Sequence, residues 1–288
     1  MHTLENDLLQ ISVSPMGAEL QQIFRKDTGL DYLWSGDPAY WGKFSPVLFP
    51  IVGTLVRNHY RYKGTEYPLP RHGFAREKRF AMELAGPTEL VCTLQDDELT
   101  RMVYPFRFVL QIRYTLEGNR LAVEYTVLNP DDKPLYFSLG AHPAFAVPLE
   151  AGAEYTDYFL QFSQPETVGR WALQDGLLQD FTEPLLQEND TIALHPDLFA
   201  RDAIVLKGLS ADEVSLRSTM SDHGWTFGFA GWPHLGIWAA KHAPFVCIEP
   251  WQGHADPVSH DGEFTQKPGV VALPPADIWQ RTWWVEVY

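Results

Sequence analysis

The sequence of 288 residues predicts an all-β protein, most simply one large antiparallel β-sandwich with few short helices. Three observations carry that prediction. Apolar residues alternate with polar or smaller ones at Phe108, Leu110, Ile112 and Tyr114, and again at Leu121, Val123, Tyr125 and Val127, the period of half-buried strands. Candidate strands are short and punctuated by turn residues at close intervals. No helical periodicity persists beyond a few turns, and no βαβ alternation, repeat or low-complexity linker divides the chain, so residues 1–288 read as a single domain.

Taken in order, Leu8–Ser14 is a strand, and Pro15-Met16-Gly17 turns into a second at Ala18–Arg25. Asp31–Trp34 is short and aromatic. Tyr40–Thr54 holds two prolines and two glycines among bulky apolar residues. Proline excludes a central strand or regular helix there, which leaves an apolar loop packed on the core or lining a cavity. Tyr60–Leu69 is a hairpin turning at Lys63-Gly64, and Arg79–Ala85 with Glu89–Gln95 forms another around Gly86-Pro87. Asp96–Met102 is the one polar piece suited to a helical turn. After the two alternating segments, Asn129–Pro134 is a turn cluster leading into Phe137–Pro148. Tyr155–Phe162, Ala203–Lys207, Val214–Arg217, Trp225–Phe229, Gly236–Ala239, Phe245–Glu249 and Gln280–Tyr288 are further strands. Gly169–Leu194, less regular and rich in Gln, Asp and Glu, reads as surface loops.

Composition narrows the function. With 22 Lys and Arg against 37 Asp and Glu, the net charge of −15 repels nucleic acid and anionic membrane, though a small anionic ligand needs only a few local cations. Two cysteines, Cys92 and Cys247, are too few for a disulfide framework or a thiolate zinc site, and a reducing compartment suits them. No signal-like segment or transmembrane-length run is seen, so a cytoplasmic protein is expected. Aromatic residues at 14% suit both sugar faces and a β-rich core.

Three stretches offer chemistry. In Gly140-Ala141-His142-Pro143, small residues and a proline let the backbone turn sharply and aim an imidazole into a space. His142 is then either a core histidine bonded to a carbonyl or a proton-transfer group suited to neutral pH. Glu249 follows Phe-Val-Cys-Ile and precedes Pro250, which is expected to end the strand, and Trp251, which offers a stacking face. A carboxylate there needs a basic partner, a solvent-filled mouth or a raised pKa suited to general-base work; the alternative is a rim carboxylate paired with an Arg. His72 sits in Arg71-His72-Gly73-Phe74, with Arg57 and Arg76 flanking it. The other eight histidines, His234 and His254 among them, stand in no distinctive context. His72, His142 and Glu249 match no local metal-ligand spacing, and no phosphate loop or nucleophile elbow occurs.

The set of Gly17–Leu20 (GAEL), Tyr32–Trp34 (YLW), Phe44–Gly53 (FSPVLFPIVG), His72–Arg76 (HGFAR), Phe137–Phe145 (FSLGAHPAF) and Cys247–Gly253 (CIEPWQG) resembles the aldose 1-epimerase (galactose mutarotase) family, in particular its LacX-like branch. The motifs run in family order over nearly the whole chain. The resemblance implies a galactose mutarotase-like supersandwich and cofactor-free, metal-free interconversion of sugar anomers. It implies Glu249 as general base and His142 as general acid. His72, Arg57 and, more loosely, Asp202 would hold the sugar, with Trp251 stacking on it. HGFAR also occurs in a branch acting on hexose 6-phosphates, where arginines hold the phosphate, so Arg76 leaves that substrate open beside a neutral hexose. A non-catalytic sugar-binding protein of the same fold is the other alternative. The expected partner is a small sugar, and the expected state a monomer or homodimer.

Overall fold

A computed structural model describes residues 1–288. The two alternating segments become strands Val109–Glu117 and Arg120–Leu128, paired antiparallel with Leu121 opposite Leu116 and Val127 opposite Leu110. Their alternating residues Leu110, Ile112, Tyr114, Leu121, Val123, Tyr125 and Val127 are all buried. Outward from Val109–Glu117 lie Glu89–Gln95 and, at the edge, Ala81–Gly86.

On the other side Arg120–Leu128 pairs with Ile278–Val287, which pairs in turn with Trp225–Gly228. Beyond it come Glu213–Ser218, Tyr158–Gln174, Ile204–Lys207, His234–Trp238 and Phe245–Gln252, all in one 14-stranded antiparallel sheet. A 4-stranded sheet built from His2–Glu5, Leu9–Val13, Leu20–Arg25 and Leu30–Asp31 is a separate layer. Its buried Leu9, Ile11, Val13, Leu20 and Ile23 share one core of 65 residues with the large sheet, and the Tyr114 hydroxyl donates to the Ala18 carbonyl across the layers at 2.7 Å. The fold is all-β, with Glu98–Val103 as its α-helix, capped by Asp97, whose carboxylate accepts from the Thr100 amide. No helix is long and apolar enough to cross a membrane.

Two sequence-based expectations are corrected. Gly169–Leu194 is not a set of surface loops but most of a long hairpin, Tyr158–Gln174 paired with Leu177–Ala193. Register shifts between Gln161 and Leu173 break the period-two pattern on which strand recognition depends. Its turn is Asp175-Gly176, both in the left-handed region. The strand at Phe245 does not end at Pro250 but runs to Gln252. Tyr40–Thr54 is irregular as expected, bridging at Leu48 to Gly140 and at Phe49 to Gly73, while its Phe44 carbonyl accepts from the Ala144 amide at 2.9 Å.

Candidate active site

Strand Phe245–Gln252 is buried on both faces, and Cys247, Glu249 and Trp251 share one of them because successive strand residues alternate. On one edge it pairs with two short segments, Leu139–Gly140 and Ala144–Ala146, with Gly140 opposite Trp251 and Ala144 opposite Cys247. Carrying that register across the gap puts His142 directly opposite Glu249. The gap itself has a covalent cause: neither Pro143 nor Pro250 has an N–H to give to the ladder. Two bonds survive there, Ala141 N–H to the Pro250 carbonyl and Ile248 N–H to the Pro143 carbonyl, each 3.1 Å. The two His-Pro and Glu-Pro dipeptides therefore loosen the same point of the sheet and hold an imidazole and a carboxylate side by side.

His142 Nε2 lies 3.3 Å from Glu249 Oε2. Both side chains are buried but line a cavity of about 320 Å³. Burial pushes the Glu249 carboxyl up to about 8, although the Arg71 guanidinium pulls the other way. Burial, with Arg71 and Arg76 adding to it, pushes His142 down to about 3. Between those limits the pair holds one proton, either as carboxyl and imidazole or as carboxylate and imidazolium. The acid and base are neighbours on one floor, not groups facing each other across the cavity.

His72 lines the same cavity, its ring 5.9 Å from that of His142. Its backbone is left-handed (φ 68°), and so is that of Gly73, where a Cβ would come within 2.3 Å of the Phe49 carbonyl oxygen. The His-Gly pair is thus a strained turn wedged under the Tyr40–Thr54 segment. The Gly53 amide points at His72 Nδ1 (3.1 Å), while Arg71 Nε sits 3.2 Å from Nε2. A neutral imidazole accepts at only one nitrogen. The fixed Gly53 amide takes Nδ1, which leaves the proton on Nε2 beside the Arg71 guanidinium. Two donors then converge on one place, an arrangement completed by an oxygen acceptor. Burial, with His142 and the arginines nearby, holds His72 well below its ordinary value, hence neutral.

Of the remaining sequence candidates, Asp202, Arg76 and Trp251 line this cavity. Asp202 is held in the left-handed region (φ 74°), its carboxylate accepting from the Ala203 amide at 2.8 Å. Arg76 donates from Nη2 to the Arg71 carbonyl at 2.8 Å, while its buried Nε makes no hydrogen bond and has the Glu77 carboxylate 3.8 Å away. The Trp251 indole lies across Gly236 on the neighbouring strand, where any Cβ would come within 2.3 Å of the ring. Arg57 is the exception. With Arg57 and Asn58 both left-handed, the chain turns away, and Arg57 lines a separate polar cavity with Arg61, Glu66 and Asp261. Arg71 occupies the place that the sequence reading gave to Arg57.

Sequence reasoning passed over Arg71, Trp41, Trp238 and His254, all of which line the cavity, together with Leu173 and Leu178 from the long hairpin. Arg71 carried a usable signal, its adjacency to His72. Neutral His254 donates from Nδ1 to the Ala255 carbonyl at 2.7 Å and accepts from Lys207 at Nε2 (3.1 Å), an environment no local pattern announces.

His142, Cys247 and Glu249 also bring three ligand-type atoms within 4.8 Å of one another. Cys247, however, sits in an apolar cluster with Trp34, Ala144 and Phe245. Burial and the Glu249 charge hold its thiol well above its ordinary value, which disfavours the thiolate a metal requires.

The sequence profile of the family described as Aldose 1-epimerase matches residues 1–271. Protein LacX (plasmid) of Lactococcus lactis subsp. lactis is 34% identical over 291 aligned residues, covering 97% of each chain. A galactose mutarotase related enzyme from Lactobacillus acidophilus superposes with a TM-score of 0.95 at 34% identity, covering 100% of this chain and 97% of that one. A galactose mutarotase-like protein from Lactobacillus casei gives 0.91 at 30% identity, with both chains fully covered.

Proposed function

The chain belongs to the aldose 1-epimerase family, and from that premise we propose that it interconverts the α and β anomers of a free hexose such as glucose or galactose, using acid–base ring opening and no cofactor. The observation that carries this reading is the register-locked contact between Glu249 and His142 in a cavity rimmed by donors. In the carboxylate–imidazolium form, Glu249 takes the anomeric hydroxyl proton while His142 gives one to the ring oxygen, and the bond from that oxygen to the anomeric carbon breaks. The two sugar oxygens share one carbon and lie closer together than two hydrogen-bonded atoms. An acid and base in contact can therefore serve both at once. The pair ends as carboxyl and imidazole, the aldehyde of the opened chain turns about its bond to the adjacent carbon, and closure on its other face returns both protons. Arg71 and His72 Nε2–H hold sugar oxygens, and Trp251 gives the ring an apolar face.

Two guanidinium groups in the lining, Arg71 and Arg76, the latter with no hydrogen bond at Nε, favour a second reading in which the hexose carries a phosphate. Polarimetry of freshly dissolved α-glucose, α-galactose and glucose 6-phosphate decides among these. Acceleration of the neutral sugars supports the first reading, and acceleration of the phosphorylated sugar alone supports the second. Binding without acceleration of any would sink both and leave a sugar-binding protein. Within the first reading, Arg71→Ala is expected to raise KM about 10-fold, as loss of a charge-assisted hydrogen bond does, whereas Arg57→Ala stays within about twofold. Equal effects from the two in steady-state kinetics would reverse that assignment.

A further inference from the structure

The imidazolium form of His142 needs stabilising, and its surroundings offer little. Nε2 has Glu249, but Nδ1 is buried and has, beyond the favourable pull of the residue's own backbone, no partner, so no second carboxylate supports the charge as in a Ser-His-Asp arrangement. Arg71 and Arg76 oppose it, His72 is neutral and edge-on at 5.9 Å, and the Cys247 thiol is held protonated. Trp238 stands perpendicular to the ring at 5.7 Å. Trp41 alone stacks on it, with centroids 4.9 Å apart and planes 26° from parallel.

We propose that Trp41 is a positioning residue whose indole face stabilises the imidazolium of His142 and so sets how the shared proton divides between His142 and Glu249. The inference rests on the acid–base reading above for its catalytic consequence, though not for its geometry. An indole face is the strongest natural partner for a cation, and more so out of water. Trp41 is also held where it must be. Its carbonyl accepts from Trp34 Nε1 at 2.9 Å, its amide donates to the Asp37 carbonyl at 2.9 Å, and its ring packs against Trp238 and Phe245. The irregular Tyr40–Thr54 segment, whose prolines deny it a place in either sheet, thereby lays its ring across the catalytic imidazole.

The rival role is a platform for the sugar, and fluorination separates the two. Mono-, di- and trifluorotryptophan placed at position 41 by nonsense suppression keep the ring's shape while draining its π face. Two readouts are needed. The ¹⁵N shifts of the His142 imidazole at neutral pH report the division of the proton without substrate, and each fluorine is expected to move them toward the neutral ring. Mutarotation kinetics are expected to show kcat falling with each fluorine, to about 10-fold in total, with KM changed less than about twofold. Unchanged ¹⁵N shifts across the series would overturn the proposal, as would a fall confined to KM. A ¹⁵N response in a protein that accelerates no sugar would uphold the role of Trp41 while sinking the epimerase reading. Trp41→Leu is expected to lower kcat at least as far as trifluorination, and Trp238→Leu less.

Discussion

Glu249→Gln is expected to lower kcat about a thousandfold while the protein stays folded and becomes more stable than the parent in alkaline buffer. The first half follows from the proposed chemistry, because an amide cannot take the anomeric proton, and loss of a general base costs two to four orders of magnitude. The second half follows from linkage. Burial raises the folded-state value of Glu249 from 4.5 to about 8. Its contribution is fully present below 4.5, where folded and unfolded chains are both protonated, and is lost as pH rises toward 8, where the unfolded chain ionises and the folded one resists. The glutamine variant has no such loss. Its melting temperature should therefore gain on the parent steadily between those pH values, by the equivalent of a few kcal/mol at most. Thermal melts at pH 4.5, 6 and 8 check this, and a constant difference would mean that the carboxyl is not desolvated. Function here is held against stability, as is common for buried catalytic acids.

His142→Asn is expected to lower kcat by about two to three orders of magnitude and to change the shape of the pH profile. On the proposed chemistry, the active species of the parent is the pair with one proton. It is lost above about 8, when that proton leaves, and below about 3, when a second is taken up. The profile of kcat/KM, corrected for buffer catalysis, should then be flat between those limits. Asparagine leaves Glu249 as the one titrating group, able to take a proton only as the carboxylate, so the alkaline limb disappears and whatever activity remains rises with pH as that carboxyl ionises. A parent profile rising through the ordinary carboxylate range would show that Glu249 and His142 do not share a proton.

Much of this was legible in the sequence, and the failures have physical causes. The strands at 109–128 were readable because each buries one face only, so alternation survives. The hairpin Tyr158–Ala193 was not, because bulges shift the phase of that alternation several times and its solvent faces imitate loops. His142, Glu249 and His72 stood out because each breaks an apolar context beside a Pro or Gly. That the first two are cross-strand partners could not be read, since register depends on pairings over 100 residues apart in sequence. Arg71 differs from Arg57 in sequence terms only by adjoining His72, a signal the sequence reading did not use. The left-handed pair at Arg57-Asn58 decides between them, and nothing in the residue types signals that turn.

The place of Ile278–Val287 in the large sheet bears on how the protein is made. This strand, latest in the sequence, is the only join between the strands ending at Leu128 and those that carry Glu249 and His142. A nascent chain can assemble the hairpins on either side while still on the ribosome, but the two half-sheets stay unjoined until these residues emerge. Until then each half presents an unpaired apolar edge, Arg120–Leu128 on one and Trp225–Gly228 on the other. Shortening the chain by this one segment removes a seam rather than a margin. The resulting fragment has the makings of two open sheets and the aggregation hazard that comes with them.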